Sequence, residues 1–177
     1  MANKERTRNR EYSPPSTEGL TVQDLDKDDA KMLYQAYRLE LLPKKWNPAP
    51  GMNPADILLS IDNFIQENYH FAYSIRDSEK TLLVAFALNV GDMLFINDVV
   101  WGAKTLFHSR IKSAYKLLNE LRKTSVVILT SEFIDKPFHD RLCDYKVLRR
   151  VGTIYDLHDQ DNRTSFYQTR KSRWLVM

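Results

Sequence analysis

The spacing of apolar and polar positions along the chain predicts a series of strands and helices. Short or alternating apolar runs predict strands, and apolar residues three and four apart predict helices. The resulting order is β-α-α-β-β-β-α-β-α-β-β, which predicts a single α/β domain with a mixed central sheet flanked by helices. The predicted elements are Leu20–Val22, Asp26–Leu42, a helix capped by Asn53, Phe71–Arg76, Leu82–Val90, Met93–Val100, Thr105–Lys123, Val126–Leu129, a helix from Asp135 to about Cys143, Val147–Leu157 and Thr164–Thr169.

Three of the predicted helices carry distinct positional signals. Asn53 is placed as an N-cap, with Pro54 at the first helical position and Asp56 in the first turn. The other two have apolar faces that we expect to point inward. For the first helix this face is Ala30, Leu33, Tyr34, Tyr37 and Leu41, and for the long third helix it is Leu106, Phe107, Ile111, Ala114, Tyr115, Leu118 and Leu121.

Length and charge divide the chain into a domain and two termini. The 177 residues are 43% hydrophobic, enough for one core, and the net charge of +3 gives no bulk argument for nucleic-acid binding. Residues 1–18 are predicted to form an extended polar arm, residues 19–170 the domain and residues 171–177 a basic tail. Arg6, Arg8 and Arg10 in the arm are candidate contacts to a partner.

Several classes of protein are disfavoured by the sequence. The single Cys143 excludes an internal disulfide and a cysteine zinc cluster, and His70, His108 and His158 lack metal-ligand spacing. The longest apolar run, Leu82–Leu88, is far too short for a membrane span. The beginning of the chain does not resemble a signal peptide, so we expect a protein made in the cytoplasm and not secreted.

The predicted order is similar to the fold of the GNAT family of N-acetyltransferases over roughly residues 20–170. Phe138, Leu142 and Tyr145 resemble the family's late helix. The resemblance implies an acetyl-CoA site where the central strand meets the long helix. Its candidate residues here are Val100, Trp101, Gly102, Ala103 and Lys104.

Two positions depart from the family's pattern. His139 stands where the family's general acid is usually a tyrosine, and the pyrophosphate loop keeps one glycine, Gly102, without the family's spacing. Without those backbone N–H groups the pyrophosphate loses its main binding site. The departures therefore indicate loss of a cofactor site on a cofactor fold.

A narrower resemblance is to a GNAT-like internal virion protein of short-tailed bacteriophages, which has a degenerate cofactor loop. The similarity lies in Asp98–Trp101, followed by a helix start with Lys104, His108, Arg110 and Lys112, and in the closing hairpin with Phe166 and Tyr167. It implies a non-catalytic virion assembly protein without a cofactor, located in the virion after synthesis in host cytoplasm. Its expected partners are other virion proteins and DNA, within an oligomer or multi-protein assembly.

Two other functions remain open from the sequence. One is an active acetyl-CoA-dependent N-acetyltransferase, with His139 or Glu132 as weak acid/base candidates. The other is a nucleic-acid-binding module, with affinity that falls steeply with salt. Trp46, in a proline-rich loop, is either an exposed partner contact or a side chain folded over the first two helices. Cys143 is more often a packed residue than a nucleophile, and no metal site is expected.

Overall fold

The computed structural model describes residues 12–27, 29–42, 46, 52–78, 80–130, 136–155 and 163–170. The predicted order of elements is confirmed. The elements are β1 (Leu20–Asp24), α1 (Asp29–Arg38), α2 (Pro54–Asn68), β2 (Phe71–Asp77), β3 (Lys80–Val90), β4 (Met93–Trp101), α3 (Phe107–Leu121), β5 (Val126–Thr130), α4 (Lys136–Asp144), β6 (Leu148–Tyr155) and β7 (Arg163–Thr169).

The strands form one mixed sheet of seven strands in the order β1-β2-β3-β4-β5-β7-β6. Strands β4 and β5 are parallel and are joined through α3, whereas the other neighbouring pairs are antiparallel. The carboxyl ends of β4 and β5 and the amino end of α3 therefore lie at the same edge of the sheet, which is where ligands commonly bind in α/β folds.

Helices cover both faces of the sheet and bury two separate cores. The core under α3 and α4 includes Leu83, Ile96, Leu118 and Leu142. The core under α1 and α2 is lined by Val84, Phe86 and Val100 from the sheet, together with Leu33, Ile57, Ile61 and Ile65 from the helices. Strand β3 supplies odd-numbered residues to the first core and even-numbered residues to the second, as the two-residue period of a strand requires.

Two helices are shorter than predicted, and three of the predicted core residues are exposed. Helix α1 ends at Arg38, where Glu40 adopts a φ of 56° and the Leu41 N–H donates to Ala36 O, so Leu41 turns outward and is 53% exposed. Helix α3 begins at Phe107, which leaves Leu106 and Phe107 74% and 48% exposed. In both cases the apolar pattern in the sequence extends beyond the residues whose backbone is helical.

Several predictions fall outside the described residues: those for the arm residues Arg6, Arg8 and Arg10, the tail 171–177 and Glu132. Among the helices that the structure does describe, none combines the length and apolarity needed to cross a membrane. Within the same ranges, His, Cys, Asp and Glu side chains nowhere gather in a group of three or more that could hold a metal ion.

Candidate functional site

A β-bulge in β4 marks the centre of the candidate site. Ala87 pairs with Ile96, but the preceding residue Phe86 pairs with Asp98, so Asn97 is the extra residue. Because one residue is inserted, side chains two positions apart on either side of the bulge point to opposite faces of the sheet. Ile96 lies in the α3 core, whereas Asp98 and Val100 lie on the α1–α2 side.

The sheet opens at this bulge. Strands β4 and β5 pair from Met93 and Val126 as far as Ile96 and Leu129, and in the described residues the remainder of β4 makes no further pairing with β5. The opening faces the start of α3. The acetyl-CoA site implied by the resemblance to the GNAT family would lie here, where β4 meets α3.

Aromatic side chains occupy the α3 side of the opening. The ring of Trp101 packs edge-on against Phe138 with centroids 5.7 Å apart, and Phe107 packs against the same ring at 6.2 Å. The Arg110 guanidinium lies 5.3 Å from the centroid of Trp101, within cation–π range. A cavity of about 20 Å³ beside Trp101, in the core under α3, is lined by apolar residues that include Leu83, Ile96, Leu118 and Leu142. Its volume is that of a single water molecule.

The single glycine of the loop is held by packing on β3. The Gly102 N–H donates to Leu82 O at 2.9 Å, and the hydroxyl and N–H of Thr105 both donate to Gly102 O. A Cβ on Gly102 would lie 2.7 Å from Thr81 O, closer than such atoms approach. The close approach to β3 explains this glycine, and its amide N–H already has an acceptor.

The first turn of α3 is basic and lacks a side-chain cap. Leu106 is the N-cap residue and makes no side-chain hydrogen bond to the helix, and the first turn contains no acidic residue. Lys104, with a φ of 63°, and His108 are exposed. Arg110 donates from Nε to Thr105 O at 3.0 Å. Helix N-termini favour negative charge, so this end of α3 presents positive potential to the solvent.

A buried polar chain lies on the other face of the bulge. Asp98, 1% exposed, accepts hydrogen bonds from the Tyr69 hydroxyl and from Asn97 Nδ2. The Trp46 indole N–H donates to Tyr69 Oη at 3.3 Å. Burial, and then the hydrogen bond to Asp98, raise the pKa of Tyr69, which keeps its proton on the phenol.

Of the two alternatives for Trp46, the structure shows the buried one. Its side chain is 3% exposed and packs against Phe64, Tyr69 and Phe86. The alternative, in which Trp46 folds over the first helices, is the arrangement in the structure. The apolar area of an indole favours burial when its N–H finds an acceptor, and Tyr69 supplies one.

His139, the residue in the position of the family's tyrosine, is buried. It is 0% exposed, and its ring stacks on Tyr167 at a centroid distance of 4.0 Å and an interplanar angle of 12°. Phe138 and Leu142 on the same helix are also buried. The buried side of α4 is therefore wider than the apolar face that its sequence predicts.

Cys143 is expected to react slowly with thiol reagents. Its side chain is partly buried, and burial followed by the charge of Asp140 raises the pKa of the thiol. The thiolate is the reactive form, and each unit of increase in pKa reduces its fraction about tenfold. Modification by a disulfide reagent at neutral pH should therefore be slower in the native than in the denatured protein. Equal rates in the two states would contradict the assignment of Cys143 as a packed residue.

A second buried network, not identified from the sequence, lies at the start of α1. Asp29 is 0% exposed, accepts from Thr81 Oγ1 at 2.6 Å and pairs with Arg76 Nη2 at 2.9 Å. The guanidinium of Arg76 also pairs with Asp26. The acid in the first turn of the helix is a visible signal, but its partners lie about 50 residues away in the chain and leave no local pattern.

Comparison with known proteins identifies the fold. No family model matches the sequence, and no curated protein matches it. A variant of spermidine N-acetyltransferase from Vibrio cholerae superposes with a TM-score of 0.62 at 9% identity, over 89% of this chain and 96% of that one. A ribosomal-protein-S5-alanine acetyltransferase from Vibrio fischeri gives a TM-score of 0.55 at 11% identity, over 90% and 97%. An aminoglycoside 6′-acetyltransferase gives 0.51 at 12%, over 84% and 96%. The fold is GNAT-like.

Proposed function

We propose that this protein is a non-catalytic assembly component built on a GNAT-like scaffold, and that it contacts other proteins or DNA in a bacteriophage particle. The observation that carries the non-catalytic part is the packing of Gly102 on β3, where its N–H is already bonded to Leu82 O. The virion part rests on the sequence resemblance around Asp98–Trp101 and the closing hairpin, and none of the structural neighbours bears on it.

The loop between β4 and α3 does not fit the pyrophosphate of acetyl-CoA. A phosphate cradle requires several backbone N–H groups directed at the ligand. Here the Gly102 N–H is bonded to Leu82 O, and the glycine lies against Thr81 O. The next two residues of the loop, Ala103 and Lys104, are not glycines.

The opening also does not fit the extended arm of a coenzyme. On its α3 side Trp101 packs on Phe138, and the cavity beside Trp101 in the α3 core, about 20 Å³, is far smaller than the several hundred Å³ of an ordinary ligand pocket. A larger cleft, about 580 Å³, lies against Gly102 and Ala103 on the side of α1. His139, the residue in the position of the family's acid, is buried beneath Tyr167 and away from solvent. A general acid must reach the proton acceptor on the substrate.

One observation favours the alternative of an active N-acetyltransferase. The first turn of α3 is uncapped and basic, a position that attracts anions in many α/β proteins. The structural neighbours with this fold are acetyltransferases. In this alternative acetyl-CoA would contact Lys104 and the first amides of α3, and Trp101 would have to move.

Calorimetric titration with acetyl-CoA tests the non-catalytic part. We expect no binding heat at coenzyme concentrations up to about 1 mM, whereas a site that uses this fold's loop would show a Kd in the micromolar range. An active acetyltransferase titrated with the same solution is the control for the coenzyme. Saturable micromolar binding that disappears in Lys104→Glu would overturn the proposal and favour the alternative.

Density-gradient centrifugation of a lysate from the source tests the virion part. We expect the protein to sediment with particles that protect DNA from nuclease, in a fixed ratio to the other particle proteins. Recovery solely at the top of the gradient, as free protein, would remove the virion assignment and leave the non-catalytic part unaffected.

A further inference from the structure

Helices α2 and α3, which pack on opposite faces of the sheet, carry opposite charge, and their outer surfaces are called here the acidic face and the basic face. Helix α2, on one face, contains three acidic residues and no basic residue; they are Asp56, Asp62 and Glu67, and all are exposed. Helix α3 and its flanks, on the opposite face, contain a single acid, Glu120, and six basic residues, which are Lys104, Arg110, Lys112, Lys116, Arg122 and Lys123. A difference of this size steers the association of complementary surfaces.

The acidic face contains a shallow apolar groove. The groove, about 450 Å³, lies along the outer side of α2 and includes Met52, Leu59 and Phe64. Leu59 is 59% exposed and Met52 is 38% exposed. Asp56 and Glu67 line the same groove. It therefore combines exposed apolar side chains with negative charge at its edges.

The basic face presents an apolar projection. Leu106 and Phe107 are 74% and 48% exposed and are neighbours at the first turn of α3. Lys104 and His108 flank them and are exposed. Two adjacent, exposed, large apolar side chains at the start of a helix are unusual on a surface that has no partner.

We propose that Leu106 and Phe107 of one copy of this chain dock into the α2 groove of a second copy. Apolar side chains then meet apolar side chains, and Lys104 beside Leu106 meets Asp56 and Glu67 at the edge of the groove.

The arrangement has a defined symmetry. Helices α2 and α3 pack on opposite faces of the sheet, as their separate cores show. A contact that joins unlike surfaces is head-to-tail, and repetition of it gives a ring or an open chain of subunits. Each subunit in such an assembly keeps one groove and one projection, and this leads to a complementation test.

Sedimentation velocity of two single variants and their mixture tests the docking. Leu59→Lys repels the basic face, and Leu106→Asp removes the apolar tip and repels the acidic face. We expect the wild-type protein to assemble at low salt and to lose most of this assembly at about 0.5 M salt, where surface charges are screened. Each variant alone should be monomeric. An equimolar mixture should form a dimer, through the wild-type groove of one variant and the wild-type projection of the other.

Val90→Lys, which changes an exposed apolar residue at the end of β3, is the matched control and should assemble like the wild type. Circular dichroism spectra of all variants must match that of the wild type, and Leu106→Asp should melt at a slightly higher temperature than the wild type, because aspartate caps the start of α3. A wild-type protein that stays monomeric at low salt would overturn the proposal. So would variants that assemble normally, or folded variants that fail to combine when mixed.

Discussion

Replacing Asp29 by asparagine is expected to lower the free energy of unfolding by about 3 kcal/mol, the lower end of the range for breaking a buried ion pair. The carboxylate is fully buried and accepts hydrogen bonds from Thr81 Oγ1 and the Asp26 backbone N–H, in addition to its pair with Arg76. Asparagine preserves the shape but removes the charge and one acceptor. Arg76 keeps Asp26 as a partner, which is why the lower end of the range applies.

Asp26→Asn is the matched control, because it removes the other carboxylate that pairs with the same guanidinium. The side chain of Asp26 is 46% exposed, and exposed ion pairs contribute about 0–1 kcal/mol. Urea denaturation of both variants, followed by circular dichroism, gives the comparison. Losses of similar size would contradict the assignment of Asp29 as the buried centre of the network.

Gly102→Ala is expected to destabilise the fold by about 2–3 kcal/mol, the upper part of the range for overpacking. The added Cβ would lie 2.7 Å from Thr81 O and 3.1 Å from Thr105 Oγ1. The nearer atom belongs to the backbone of a central strand, so relief requires the loop to move and weakens the hydrogen bond from Gly102 to Leu82 O.

Gly152→Ala provides the control at a glycine that has no atom within 4 Å of the added carbon. Its unfolding free energy should lie within about 0.5 kcal/mol of the wild-type value, as for most surface substitutions. Thermal and urea denaturation measure both variants. If Gly102→Ala were equally neutral, packing would not explain this glycine, and a role in contacting a ligand would have to be reconsidered.

The order of elements could be predicted from the sequence because apolar residues recur with different periods in helices and in strands. Each element is long enough for its period to be recognised. The bulge in β4 could not be predicted in the same way. Apolar residues stand at both even and odd positions of this strand (Leu94, Phe95, Ile96, Val99, Val100 and Trp101), so the sequence shows no alternation from which the change of faces at Asn97 could be predicted. Both faces of this strand are covered by helices, so apolar residues are acceptable on either side and the pattern does not record the insertion.

The candidate site was predicted less completely, for a different physical reason. The burial of Trp46 depends on Tyr69 and Phe86, and that of His139 depends on Tyr167. These contacts join residues between 23 and 40 positions apart, and the local sequence does not encode them. The position of the site at the β4–α3 junction was predictable, since it follows from topology alone.

The bulge at Asn97 also restricts how β3 and β4 can align. If β4 slipped by one residue along β3, the slipped side chains of β4 would lie on the opposite face of the sheet. The Asp98 carboxylate would then enter the apolar core beside Leu83 and Leu118, away from the Tyr69 hydroxyl. Such a misaligned hairpin would bury an unsatisfied charge in the centre of the sheet. Asn97 and Asp98 therefore disfavour registers of β4 that are shifted by one residue, and so help to select the native pairing of the two strands during folding.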